Sequence, residues 1–233
     1  MHPCTVERFP DHALKVYQPK TGYRFSIDPI LLADHADPLP GDRIADLGTG
    51  CGIIPLLLSR KHPETHITGI EIQGALVDIA NKNIQKNHLT DQVTILLSDI
   101  RSLVPADLGG PVDLVVTNPP YIKQGCGRIN PHPQKAIARH EVEITLDELL
   151  DSATKILTFR GRFMIIFPME RLNEVMERTR HHGMGPFSLR FIHTHVNKPA
   201  KLFILTAMHN RTPLLTILPP LFLPLDTTPE TGY

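Results

Sequence analysis

Long apolar runs are missing from this 233-residue sequence. The longest, "IIPLLL" and "LFLPL", fall far short of the roughly 20 residues that a membrane span needs. The first ten residues, "MHPCTVERFP", lack the apolar stretch of a secretory signal, so a cytoplasmic protein is expected. Cysteine is scarce. Cys4, Cys51 and Cys126 lie far apart and form no C-x-x-C pair, which excludes a dense disulfide framework and leaves no zinc signature. An excess of charge of one sign is also missing, since 24 Lys and Arg match 24 Asp and Glu. The chain therefore does not hold nucleic acid through overall charge, although a local basic patch stays open to it. No internal repeat is visible. The content of 41% hydrophobic and 21% charged residues is ordinary for a globular protein.

Between about residues 43 and 208, strand-like apolar runs alternate with helical patterns. "RIADLG" predicts a buried strand and "IIPLLLSRKH" a helix that opens after a glycine-rich turn. "THITGIEI" predicts a second strand, followed by an amphipathic helix in "ALVDIANKNIQKNH" with Leu76, Ile79, Ala80 and Ile84 at helical spacing. "QVTILLSDI" and "VDLVVTN" are the third and fourth strands. "TLDELLDSATKILT" reads as a helix capped by Thr145, with Glu148 completing a capping box. "GRFMIIFP" is a fifth strand, and "MERLNEVMERTRHHG" is a helix closed by Gly183. "SLRFIHTHV" and "KLFILTAM" form a closing hairpin. Helical crossovers require a mostly parallel sheet covered on both faces. The expected fold is a Rossmann-like, doubly wound α/β domain with seven strands, the last antiparallel. The whole chain, 1–233, reads as one domain, with an extension at 1–40, a core at 41–208 and a proline-rich tail at 209–233.

The turn "DLGTGCG", Asp46 to Gly52, joins the first strand to its helix. Its glycines permit a tight turn and let a ligand approach the backbone. A turn without a ligand is the bland alternative. A dinucleotide is excluded by spacing, because Ile53 stands where G-x-G-x-x-G needs its last glycine. Asp46 would also repel a pyrophosphate and favour a ligand with cationic groups. Glu71, at the end of the second strand, can accept from both hydroxyls of a ribose. Asp99, at the end of the third, could accept from an adenine amine, with Ile72 and Ile100 against the ring; alone, it would more often cap a turn. The three carboxylates suit one nucleoside lying across three strand ends.

This set resembles the class I S-adenosylmethionine-dependent methyltransferases over residues from about 43 to 208. The resemblance implies that Gly48, Gly50 and Gly52 hold the amino-acid moiety of the cofactor, Glu71 its ribose and the Asp99 region its adenine. Its sulfonium and ammonium charges suit an acidic pocket.

The fourth strand ends in "TNPPYIK". Proline has no N–H, and a residue before proline is driven out of the helical region, so the turn is stiff and extended. The Asn118 side-chain oxygen and the Pro119 carbonyl then make two fixed acceptors, able to hold an –NH2 group by both hydrogens. Such an amine is a poor nucleophile while its lone pair is delocalised. Holding its N–H bonds out of plane frees the lone pair, and positioning of this kind supplies up to about 7–11 kcal/mol. Tyr121 offers a stacking face. A plain strand-ending turn is the alternative. The motif resembles the N-P-P-Y signature of methyltransferases that act on adenine N6, cytosine N4 or a glutamine amide, which implies catalytic roles for Asn118, Pro119, Pro120 and Tyr121.

The flanks "ARHE", followed by "TLDELL", and "GYRFSIDPILLADHA" resemble the bacterial tRNA(Val) adenine N6-methyltransferase family. The resemblance implies tRNA as the substrate; a glutamine amide in a protein such as a release factor is the second reading, and a non-catalytic RNA-binding module the third. The segment from Tyr121 to Glu141 carries Lys123, Arg128, Lys135 and Arg139, with Glu141 its one acidic residue, which suits RNA phosphates. Phe25 and Asp28 stand where they could close over the methionine end of the cofactor, although Asp28 would equally serve as a helix N-cap. Asn118 also borders the cofactor pocket. His181, His182, His193 and His195 have no apparent carboxylate or cysteine partner, so no metal is expected. Cys51 reads as a small turn residue.

Overall fold

The computed structural model describes residues 4–9, 14–20, 26–119 and 144–223. Phe25, Pro120, Tyr121, Cys126, the basic residues Lys123, Arg128, Lys135 and Arg139, Glu141, and the "ARHE" segment lie outside the described residues.

Strands β1 (Cys4–Phe9) and β2 (Leu14–Pro19) pair as an antiparallel hairpin, and helix α1 (Asp28–His35) follows. Then come β3 (Arg43–Leu47), α2 (Ile53–Lys61), β4 (His66–Glu71), α3 (Gly74–Lys86), β5 (Val93–Leu97) and β6 (Val112–Thr117). Beyond them lie α4 (Leu146–Ile156), β7 (Leu157–Pro168), α5 (Leu172–His181), β8 (Met184–His193) and β9 (Ala200–His209). The tail adds the short strands β10 (Thr216–Ile217) and β11 (Leu221–Phe222).

The main sheet runs β5-β4-β3-β6-β7-β9-β8. Its pairs are parallel from β5 to β7, while β9 runs antiparallel to both β7 and β8. This is the doubly wound sheet with a reversed closing strand that the alternation predicts. The strand order turns back between β3 and β6. An open α/β sheet leaves a crevice outside the carboxyl ends of its strands at such a point.

The strands are apolar on both faces because both are covered. Ile44, Leu114, Val116 and Ile166 pack into one core beneath α1 and α2. Their neighbours Ala45, Val115, Phe163 and Ile165 pack into the other with α4. The period-2 geometry of a strand sends successive side chains to opposite faces, so a doubly covered strand reads as an unbroken apolar run.

Three features differ from the sequence expectation. The segment before residue 41 is part of the core: Leu14, Val16, Leu32 and Ala33 are buried in the first cluster. The tail is tied to the sheet, with β10 and β11 both pairing parallel to β8. Strand β7 starts directly at the end of α4. Leu157 pairs with Val112, and the ladder then breaks and resumes at Arg162 opposite Leu114, with Arg160 at φ 72 in the bulge. The Thr145 cap is as expected. Thr145 Oγ1 accepts from the Glu148 N–H at 3.2 Å, and the Glu148 carboxylate accepts from the Thr145 N–H at 2.9 Å.

Candidate active site

The glycine turn leaves β3 at Leu47. Gly48, Gly50 and Gly52 all lie in the left-handed region, with φ of 78, 57 and 82°. An L side chain is strained there, which accounts for three alternating glycines. The Gly48 and Thr49 N–H groups both donate to the Ile70 carbonyl, at 3.0 and 2.9 Å, and so fasten the turn to the end of β4. Gly52 stands at the start of α2, where an added Cβ would sit 3.3 Å from the Ala80 Cβ. At Gly48 an added Cβ would meet nothing within 4 Å.

Asp46 is fully buried. Neither of its carboxylate oxygens has a hydrogen-bond partner, and neither has the buried Thr49 hydroxyl. Burial pushes the Asp46 carboxyl up to about 7. The Thr49 hydroxyl pulls it down, although the pair falls outside hydrogen-bond geometry, and the Glu71 carboxylate adds to the rise. Buried polar atoms are nearly always bonded. Three orphans at the base of a glycine turn mark a place built to receive hydrogen-bond donors.

Glu71, also buried, is held on both oxygens. Oε2 accepts from the Gly50 N–H at 3.0 Å and Oε1 from the Gln73 N–H at 2.9 Å. A carboxylate offers about four lone-pair sites, so acceptor capacity is left over. Ile72, next in the chain, is 38% exposed.

Asp99 lies past the end of β5. It caps the single 3-10 turn Ile100–Ser102 and accepts from the Arg101 N–H at 2.9 Å. Its carboxylate also pairs with the Arg101 guanidinium, with Nη2 to Oδ2 at 2.5 Å. The Arg101 hydrogen bond holds Asp99 below the usual carboxylate range. Arg101 reaches on to Glu148, 3.8 Å away. Ile100 packs against the second core. The turn-cap alternative therefore describes Asp99 as found, and Arg101 is a partner that the sequence reading missed.

Asn118 follows the last residue of β6. The buried Thr117 hydroxyl donates to the Leu47 carbonyl at 2.8 Å, locking the ends of β6 and β3 together. Asn118 is half-buried and Pro119 buried. The strand order β5-β4-β3-β6 sets Asp99, Glu71, Asp46 and Asn118 in a row along one edge of the sheet. Asp28 is the first residue of α1, not its N-cap, and its N–H donates to Ser26 Oγ at 3.2 Å.

Sequence reasoning also missed Asn83. Its side chain is fully buried and binds Tyr17 of β2 and Cys51 of the glycine turn. A signal was present, because Asn83 interrupts the apolar stripe of α3 formed by Leu76, Ile79 and Ala80. The Cys51 thiol is pushed up to about 12 by burial, which suits a packing residue. His182 does have carboxylate partners, contrary to the expectation. Its two ring nitrogens lie 3.0 Å from Asp147 and Asp151. His195 lies beyond the end of β8, so the strand expected over "SLRFIHTHV" stops at His193. Among the described residues, no group of three or more His, Cys, Asp or Glu could hold a metal ion.

A glycine turn over an orphaned acid, a buried acid on the second strand and an Asn-Pro closing the fourth are the marks of an S-adenosylmethionine-dependent methyltransferase. Solved structures share the fold. A predicted O-methyltransferase from Agrobacterium tumefaciens superposes with a TM-score of 0.66 at 20% identity, covering 84% of this chain and 86% of that one. A SAM dependent methyltransferase from Aquifex aeolicus gives 0.54 at 18% identity, covering 78% and 89%. Residues 27–179 match the model of the methyltransferase small domain. The tRNA1(Val) (adenine(37)-N6)-methyltransferase of Pedobacter heparinus is 30% identical over 176 residues, 76% of this chain and 73% of that one. The enzyme of the same name from Phocaeicola vulgatus is 28% identical over 190 residues, 82% and 79%. The chain belongs to the methyltransferase small domain family, among the relatives of the bacterial tRNA1(Val) (adenine(37)-N6)-methyltransferases.

Proposed function

We propose that this protein transfers a methyl group from S-adenosylmethionine to the exocyclic N6 amine of an adenine in tRNA. The observation that carries this reading is the orphaned Asp46 carboxylate on β3, opposite Val116 of β6, with Asn118 two residues further on just past the Thr117–Leu47 bond. Kinship to the tRNA methyltransferases supports the choice of adenine and of tRNA.

The residues present fit the cofactor. Asp46 and the Thr49 hydroxyl carry the unmatched buried atoms, and a donor-rich cationic ligand would satisfy them. Gly48, Gly50 and Gly52 let such a ligand lie against the backbone. Glu71 takes the ribose hydroxyls through its remaining lone pairs. Ile72 and Ile100 flank the adenine, with Asp99 at its edge. Phe25, which lies outside the described residues, is the candidate for the methionine end. S-adenosylmethionine supplies an electrophilic methyl group on a sulfonium.

On the substrate side, the Asn118 side-chain oxygen and the Pro119 carbonyl accept the two hydrogens of the amine. They hold its lone pair out of conjugation and stabilise the positive charge that develops on nitrogen. Pro120 and Tyr121 lie outside the described residues; the N-P-P-Y resemblance gives Pro120 the role of stiffening the turn and Tyr121 that of stacking on a base that has left the RNA stack. No strong base is needed, because the methylated nitrogen is acidic. The reaction belongs to the cytoplasm, and 1–233 acts as one methyltransferase unit. Among the described residues, no helix is long and apolar enough to cross a membrane.

The test is nucleoside mass spectrometry of tRNA after incubation with the protein and S-adenosylmethionine. N6-methyladenosine is expected. Label from the cofactor found only in added release factor, at glutamine, would overturn the RNA reading.

A further inference from the structure

The Asn83 carboxamide sits in the middle of α3 with none of its surface exposed. Its oxygen accepts from the Tyr17 N–H at 2.7 Å, and its nitrogen donates to the Tyr17 carbonyl at 2.8 Å. The side chain thus pairs with Tyr17 as a neighbouring strand would. Asn87, one helical turn on, repeats the pattern with Lys15, accepting at 3.0 Å and donating at 2.8 Å. The match is geometric. Four helical residues rise about 6 Å, close to the roughly 6.6 Å between alternate residues of a strand. Two helix asparagines therefore dock β2, and with it the β1–β2 hairpin, along α3.

The two asparagines differ in one respect. The second N–H of Asn83 donates to the Cys51 carbonyl at 2.8 Å, inside the glycine turn. That of Asn87 donates to the carbonyl of Asn83 and does not reach the turn. Cys51 stands between Gly50 and Gly52, so its carbonyl reports the plane of the peptide that sets Gly52 at φ 82°. Glu71 holds the same turn from its other side through the Gly50 N–H.

We propose that Asn83 is a positioning residue that couples docking of the N-terminal hairpin to the ligand-holding shape of the glycine turn. The proposal rests on the reading of that turn as the cofactor site. A docked hairpin aligns the Asn83 carboxamide, and the aligned carboxamide orients the Cys51 peptide. Coupling of this kind is reciprocal, so a ligand in the turn must in return tighten the hairpin.

The experiment compares wild type, Asn83→Ala and Asn87→Ala. Calorimetry gives the affinity for S-adenosylhomocysteine, and amide hydrogen exchange at Lys15 and Tyr17 is followed with and without that ligand. In wild type, the ligand slows exchange at both amides. Asn83→Ala weakens binding about tenfold and abolishes the ligand-dependent slowing. In methylation assays, its KM for the cofactor rises while kcat stays within about twofold. Asn87→Ala speeds exchange at Lys15 but keeps affinity within about threefold, because the Cys51 bond persists. Wild-type affinity in Asn83→Ala, or equal weakening in both variants, overturns the coupling. So does the absence of ligand-dependent slowing at Tyr17 in wild type, a measurement that stands even where Asn83→Ala fails to fold. Failure of wild type to bind S-adenosylhomocysteine overturns the cofactor reading itself, and the coupling with it.

Discussion

Glu71 grips Gly50: its Oε2 accepts the Gly50 N–H at 3.0 Å, so a side chain at the end of β4 holds the turn that follows β3. A Glu71→Gln substitution can turn an N–H toward that N–H and leave the turn unheld. A buried donor left without a partner costs about 1–3 kcal/mol. We expect a loss of that size in urea unfolding, together with about a tenfold or greater loss in S-adenosylhomocysteine affinity by calorimetry. Unchanged affinity would remove Glu71 from the ligand site.

Asp46 gives a pH signature. Its carboxyl moves from an ordinary 3.8 to about 7 in the folded protein, mainly through burial. Below the lower value both folded and unfolded chains carry the proton. Across the window up to about 7 the folded chain keeps a proton that the unfolded chain releases, so this contribution to stability is lost as pH rises. Urea midpoints of the ligand-free protein should therefore fall more steeply with pH in wild type than in Asp46→Asn. A cationic ligand needs the charged form, so wild-type affinity should climb with pH toward about 7 and then level off. Parallel pH profiles for the two proteins would contradict both expectations.

Gly48 and Gly52 share a left-handed φ but face different surroundings. Alanine at either position carries a backbone strain of about 1–2 kcal/mol. At Gly52 the new methyl also meets the Ala80 Cβ at 3.3 Å, and that atom is fixed to a helix backbone. Gly52→Ala should be the less stable variant. Gly48→Ala has open space around its methyl and should lose ligand affinity out of proportion to its stability. Thermal melts beside calorimetry separate the two effects.

Arg101 competes for Asp99. Removing its guanidinium in Arg101→Ala frees Asp99 Oδ2 for an adenine amine while Oδ1 keeps the backbone N–H of residue 101, so affinity for S-adenosylhomocysteine should rise a few-fold, while Asp99→Ala should lower it. The melting temperature should hardly move in Arg101→Ala, because exposed ion pairs contribute little. Equal affinities in the two variants would place the adenine elsewhere.

Asn118→Ala should lower kcat by about a thousandfold, the scale seen when a preorganised polar group is removed from a reacting centre. Cofactor affinity should change far less, and retention of tRNA on a filter should persist. Undiminished turnover would leave the Asn-Pro turn without a chemical role.

The parts of the site that were legible in the sequence owe their shape to local chemistry. Three alternating glycines declare a left-handed turn, and Thr145 with Glu148 declares a helix start. Asn83 was legible as a polar break in an apolar stripe but its role was not, because its partners are 66 and 32 residues away. Asp99 shows the opposite case. Reading it as a strand-end acceptor overlooked Arg101, two residues on, whose N–H and guanidinium both claim the carboxylate. The core role of the β1–β2 hairpin and the sheet pairing of the tail likewise depend on long-range contacts that no local pattern announces.

The tail also decides where the sheet ends. β10 and β11 pair with β8 near Leu189 and His193, and the Leu218 and Leu223 N–H groups donate to the carbonyls of those two residues. Between the two short strands stand Pro219 and Pro220, which have no N–H to offer a further neighbour. The β8 side of the sheet is therefore a poor template for a strand from another chain. β5, at the opposite margin, has no outer partner among the described residues, and its last residue, Leu97, is 58% exposed. Among the described residues, the margin that leaves a five-residue strand unpaired is therefore the one next to the acidic end of the ligand crevice.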